Sequence, residues 1–250
     1  MFKNVLFDMG GTLEDIWYND ETEQAATQKL IAILRRSGLE PGCEGKQFFQ
    51  TLFARYDAYK KWSERTVREK KPDEIWPDAL QDFGFPAEKV MEIAEELADT
   101  WECTYFHREL RPGVRDVLEG LRQRGFRMGV VSNTSSLYAP FHVLQRYGVR
   151  EYFDNVTLSS ITSYRKPAKE LFTISMYQMR SNPEECVYVG DTVSRDIIGA
   201  KRAGFGLAVQ IRSFLTAQKD VGLENCPERP DIVIESFPEL LEYLDRHPGK

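Results

Sequence analysis

The chain has 250 residues, 42% of them hydrophobic and 29% charged, with a formal net charge of −6. That size and balance fit one large or two modest globular domains. The acidic excess argues against a nucleic-acid partner, which would need a basic face. It does not exclude a small anionic ligand held by a few local donors.

The four cysteines, Cys43, Cys103, Cys186 and Cys226, lack the close spacing of a zinc or redox site. They read as small apolar residues or free thiols. Without a long uncharged apolar run, no membrane-spanning helix is expected. The N-terminus lacks the pattern of a secretion signal, so a cytoplasmic location is the default expectation. Oligomeric state is left open.

Val5, Leu6 and Phe7 form a short apolar run, as expected of a strand covered on both faces. Asp8 ends it, followed by Met9, Gly10, Gly11 and Thr12. A carboxylate at the carboxyl end of a parallel strand lies where α/β sheets bind ligands, and glycines let backbone approach it closely.

Residues 17–109 show no convincing strand. Leu30, Ile33 and Leu34 follow helical spacing, as do Phe49, Leu52, Phe53 and Tyr56. Val90, Ile93, Ala94, Leu97, Ala98, Trp101 and Tyr105 do the same. This predicts an inserted unit of about four helices, with Trp62, Trp76 and Trp101 in its core. Trp17 and Tyr18 either pack at the junction with that unit or line an entrance to a site. The basic stretch 60–71, KKWSERTVREKK, reads as a solvated helix face or turn.

From Arg111 onward, strand and helix alternate, the pattern of a parallel sheet with helices on its faces. Val114, Val117, Leu118 and Leu121 share a helical face that Gly125 ends. The run Met128–Val131 predicts a strand, and Ser132 ends it ahead of Asn133 and Thr134. Phe153–Leu158 is a weaker strand, and Lys166 precedes a proline and a helix. Cys186–Val189 forms another strand, with Asp191 at its end and Asp196 near the next helix start. Gly206–Val209 and Ile232–Ile234 predict further strands, and Ser236 with Glu239 forms a capping box.

Carboxylates gathered at strand ends repel one another unless a cation lies among them, and hard oxygen donors favour Mg²⁺. In order, DMGGT, VVSNT, YRKP and VGDTVSRD resemble the motifs of the haloacid dehalogenase superfamily of hydrolases. The resemblance implies a Rossmann-like parallel sheet over residues 1–16 and 110–250, with residues 17–109 as an all-helical cap. It implies a phosphatase of small phosphorylated metabolites, working through an aspartyl-phosphate.

Within that resemblance, Asp8 is the nucleophile, and Ser132 and Lys166 hold the transferring group. Asp8, the carbonyl of Gly10, Asp191 and Asp196 form the Mg²⁺ site. Backbone amides near Gly10, Gly11 and Asn133 complete the phosphate cradle. One position departs from the pattern. The family's phosphatases carry a general-acid aspartate two residues after the nucleophile, and here that residue is Gly10. The departure predicts weaker turnover of alkyl than of aryl or acyl phosphates. Glu14, Asp15, Glu64 and His107 are possible substitutes for the missing acid. The departure also fits a 2-haloacid dehalogenase-like hydrolase, whose halide leaves without a proton, or a protein that only binds phosphorylated ligands.

Overall fold

The computed structural model describes residues 1–214, 220–223 and 226–247. Six strands form its centre: β1 (Asn4–Phe7), β4 (Arg127–Ser132), β5 (Asn155–Leu158), β6 (Cys186–Gly190), β7 (Leu207–Ile211) and β8 (Ile232–Ile234). They make one parallel sheet in the order β5-β4-β1-β6-β7-β8. Each predicted strand of the sheet is present, with ends shifted by a residue or two.

Side chains alternate between the faces of the sheet, as a period of two requires. Val5 and Phe7 join one buried cluster with Met128, Val130, Val187, Val189 and Val209. Leu6 points the other way, into a cluster with Val131, Tyr188 and Ala208. Helices α5 (Val114–Gln123) and α6 (Ala139–Arg146), with the last described helix, Phe237–Arg246, cover the first face. The single turn α7 (Ser159–Thr162) follows β5 directly. Helices α8 (Lys169–Gln178) and α9 (Ile198–Arg202) cover the second face. The last helix opens with the expected Ser236–Glu239 capping box.

Between β1 and β4 lie α1 (Asp20–Arg36), α2 (Gly45–Thr66), α3 (Pro72–Ala79) and α4 (Ala87–Thr104). They enclose a cluster of their own around Leu30, Phe48, Leu52, Trp76, Leu97 and Trp101, with Trp62 packed at its edge. One expectation fails here. The stretch 17–109 is not free of strand, because His107–Leu110 (β3) pairs antiparallel with Glu14–Trp17 (β2). The alternation of exposed and half-buried residues along HREL is too brief to stand out from the end of α4. The ribbon joins the entry and exit of the helical insertion.

β1 lies between β4 and β6, so the residues that end these three strands are neighbours. Among the described residues, no helix is long and apolar enough to cross a membrane. The four cysteines carry free thiols.

Leu6 is fully buried at the centre of the sheet. Leu6→Ala should therefore cost about 2–5 kcal/mol, read as a lowered urea midpoint with an unchanged slope.

Candidate active site

Asp8 follows β1 directly, and its backbone N–H donates to the carbonyl of Val189 at 2.9 Å. Its carboxylate is buried and meets Lys166, with Nζ 2.5 Å from Oδ1. The same Nζ lies 2.7 Å from Oδ1 of Asp196. One ammonium thus joins two carboxylates that arrive from different loops. Lys166 is held in turn through its backbone. Its N–H donates to Asn133 Oδ1 at 2.9 Å, and its carbonyl accepts from Asn133 Nδ2 at 3.3 Å.

Asp191 follows β6, and its Oδ2 accepts from Ser213 at 2.7 Å. Carboxylate oxygens of Asp8, Asp191 and Asp196 fall within 4.8 Å of one another. Two glycines make room for them. A Cβ on Gly11, whose φ is +85°, would lie 2.3 Å from Oδ2 of Asp191. A Cβ on Gly190 would lie 2.4 Å from Cβ of Asp196. Gly10 is less restricted: a Cβ there would meet only the movable end of Ile16, at 3.0 Å.

The electrostatics derive from burial and crowding. Burial pushes Asp8 up to about 6, aided by Asp196 and opposed by Lys166. Burial and the charges of Asp196 and Asp8 push Asp191 up to about 8. Burial acts on Asp196 as well, but Lys166, Arg195 and Thr192 hold it below the usual carboxylate range. Its acceptor sites are filled. Oδ1 accepts from Lys166 and Tyr188, and Oδ2 accepts from the N–H and hydroxyl of Thr192. The donor set is all oxygen and strongly anionic, which fits a hard divalent cation. With four donors already on its two oxygens, Asp196 has little capacity left to bind it.

A cavity of about 480 Å³ opens over this cluster. Asp8, Gly10, Ser132, Asn133, Lys166 and Arg195 line its floor. Trp17 and Tyr18 are at its wall, Trp17 tilted against His107 and Tyr18 stacked on Tyr105, with ring centroids 4.1 and 5.0 Å apart. The helical insertion supplies Lys60, Glu64 and Glu102.

Several polar groups here carried no motif. Arg195 sits between Asp191 and Asp196 in sequence and faces both, together with Asp8. Glu102 on α4 accepts from Arg108 at 2.9 Å, from Ser135 N–H at 3.1 Å and from Ser135 Oγ at 2.9 Å. Glu69 is buried and accepts from Tyr59, Ser159 and Arg165. The stretch 60–71 is therefore not simply a solvated face. Part of it is the seam between insertion and sheet. Glu spaced among Lys and Arg gives no sign in the sequence of which carboxylate turns inward.

These pKa shifts carry a sign. A carboxyl raised in the fold stabilises it at low pH, and that contribution is lost as pH rises through the folded value. Without divalent ions, wild type should lose stability relative to Asp191→Asn as pH rises from 3.8 to about 8. Thermal melts of both proteins in EDTA check this, and a difference independent of pH would contradict it.

Comparison with known proteins agrees with the geometry. The haloacid dehalogenase-like hydrolase family matches residues 2–204. A glyceraldehyde 3-phosphate phosphatase of Methanopyrus kandleri is 26% identical over 98% of this chain and 97% of its own. A protein of the same name from Methanothermobacter thermautotrophicus is 34% identical over 88% of this chain and 90% of its own. In fold, the chain resembles the 2-haloacid dehalogenase of Pseudomonas syringae pv. Tomato, with a TM-score of 0.69 at 21% identity over 98% and 99% of the two chains. The chain belongs to the haloacid dehalogenase-like hydrolase family.

Proposed function

We propose that this hydrolase is a Mg²⁺-dependent phosphatase of small phosphorylated metabolites, acting through an aspartyl-phosphate on Asp8. The observation that carries this is the Asp8 carboxylate, buried against Lys166 and beside Asp191, on the floor of a cavity of about 480 Å³. That volume suits a small metabolite. The similarity to two glyceraldehyde 3-phosphate phosphatases favours a substrate of that size and charge.

In this account, Asp8 attacks phosphorus, and Lys166 offsets the negative charge that gathers on the phosphoryl oxygens. Ser132 and the amides of Gly10 and Asn133 bind those oxygens, whereas the Gly11 N–H, expected to join them, donates instead to the carbonyl of Glu14 at 2.7 Å. Asn133 also fixes Lys166 through the paired backbone contacts. Asp8, Asp191 and the carbonyl of Gly10 would hold Mg²⁺, which when bound supplies positive charge at the phosphoryl group. Asp196, with its acceptor sites filled, orients Lys166. Residues 17–109 form a cap that keeps water from the reacting atoms.

p-Nitrophenyl phosphate is the direct probe, since its leaving group needs little help from an acid. Turnover should require Mg²⁺ and stop in EDTA. Asp8→Asn should lower kcat by about 10⁴-fold or more. Halide release from 2-haloacids that resists EDTA would instead support C–halogen hydrolysis.

Binding gives a separate check. Mg²⁺ with beryllium fluoride, a mimic of the phosphoryl group, should raise the Tm of wild type but not of Asp8→Asn. A rise in both would mean that the anion binds without the nucleophile.

A further inference from the structure

Gly10 offers no proton to a leaving oxygen, and the structure narrows what can. Glu14 is buried and committed to Arg108 and Tyr147. Asp15 pairs with Arg111 at 3.5 Å. His107 is exposed on β3 and packs its ring at a tilt against Trp17. None of these three lines the cavity. Glu102 does, but it accepts from Arg108, Thr134 and Ser135. Burial works against its charge, yet Arg108, Lys60 and Ser135 hold it below the usual carboxylate range. The guanidiniums of Arg165 and Arg195 do not give up protons. Of the acids and amines that the helical insertion contributes to the cavity, Glu64 and Lys60 remain, one turn apart on α2.

Glu64 faces the Arg195 guanidinium and would bring negative charge toward an anionic substrate. Lys60 brings a positive charge. Its ammonium donates no hydrogen bond to any described residue, so its protons remain available to a ligand in the cavity. It lines the same cavity as Asp8 and Gly10, and it comes from α2 of the helical insertion, whereas Asp8 and Gly10 follow β1. The groups facing it are Arg165 and Glu69 from the seam, Glu102 from α4 and Glu64 from its own helix.

We propose that the Lys60 ammonium protonates the leaving oxygen. This rests on the phosphatase assignment and adds the donor that Gly10 does not provide. As an oxygen of Asp8 bonds to phosphorus, the bond from phosphorus to the ester oxygen breaks. Its electron pair stays on that oxygen, which takes a proton from Lys60 Nζ. In the second half, water bonds to phosphorus and the Asp8–phosphorus bond breaks. The neutral amine takes the water's proton, which restores Lys60 and releases inorganic phosphate. Burial, then the neighbouring Arg165, lower the pKa of Lys60, against the pull of Glu69, Glu102 and Glu64. The donor is therefore more acidic than a free lysine.

The test compares p-nitrophenyl phosphate with a primary alkyl phosphate, in Mg²⁺, for wild type, Lys60→Met, Lys60→Arg and Glu64→Gln. Wild type should turn over both, which revises the expectation of weak alkyl-phosphate turnover drawn from Gly10 alone. Lys60→Met and Lys60→Arg should lose about 10²–10⁴-fold on the alkyl phosphate and far less on the aryl one. Retained aryl turnover shows that each variant is folded. The alkaline limb of the wild-type pH profile should vanish in Lys60→Arg, and Gly10→Asp added to Lys60→Met should restore alkyl turnover. Full alkyl activity in Lys60→Arg would reduce Lys60 to a charge and overturn the proposal. A selective alkyl loss in Glu64→Gln but not in Lys60→Met would overturn it in favour of Glu64. No Mg²⁺-dependent aryl turnover in wild type would instead defeat the phosphatase assignment, and this proposal with it.

Discussion

The site is organised around one buried ammonium. Lys166 lies between Asp8 and Asp196, within 2.5 and 2.7 Å of their oxygens, and both carboxylates are closed off from solvent. Three acids packed this closely would favour protonation of at least one of them. The lysine holds Asp196 below the usual carboxylate range and opposes the burial that raises Asp8. Buried ion pairs contribute little net stability, and removing one partner is costly. The arrangement is better understood as a device for holding charge in place than as a staple of the fold.

The sheet order brings these groups together. β1 lies between β4 and β6, so Asp8, Ser132 and Asp191, distant in sequence, end adjacent strands. Lys166 is brought in by the loop before α8, and the Asn133 side chain fixes that loop by clasping its backbone. The glycines at 11 and 190 mark where acid side chains lie against backbone, and a methyl group at either would collide with them.

The core of the site was legible because strand-end motifs are local. An apolar run ending in Asp, or in Ser-Asn, needs only the parallel-sheet rule to be placed. The alternation of Val5, Leu6 and Phe7 between two buried faces has the same local origin. The β2–β3 ribbon was not legible, since its strands lie about 90 residues apart and each is only four residues long. Nor were the polar contacts of the insertion. Glu69, Glu102 and Lys60 lie in or near charge-rich helices where inward and outward residues share one composition. Only the packing of α2 and α4 on the sheet decides which of them turn inward. Arg195 gave no signal for another reason: an arginine in the first turn after a strand is as common on a surface as in a site, and only its approach to three buried acids distinguishes it.

The proposed chemistry requires Asp8 to form a bond to phosphorus. Acid quenching of Mg²⁺-loaded enzyme during turnover of p-nitrophenyl phosphate, followed by peptide mass spectrometry, tests it most directly. The account predicts a phosphoryl group on the peptide that carries Asp8, absent from Asp8→Asn. Steady turnover with no phosphoryl group on that peptide at any quench time, or with the group on another residue, would contradict it.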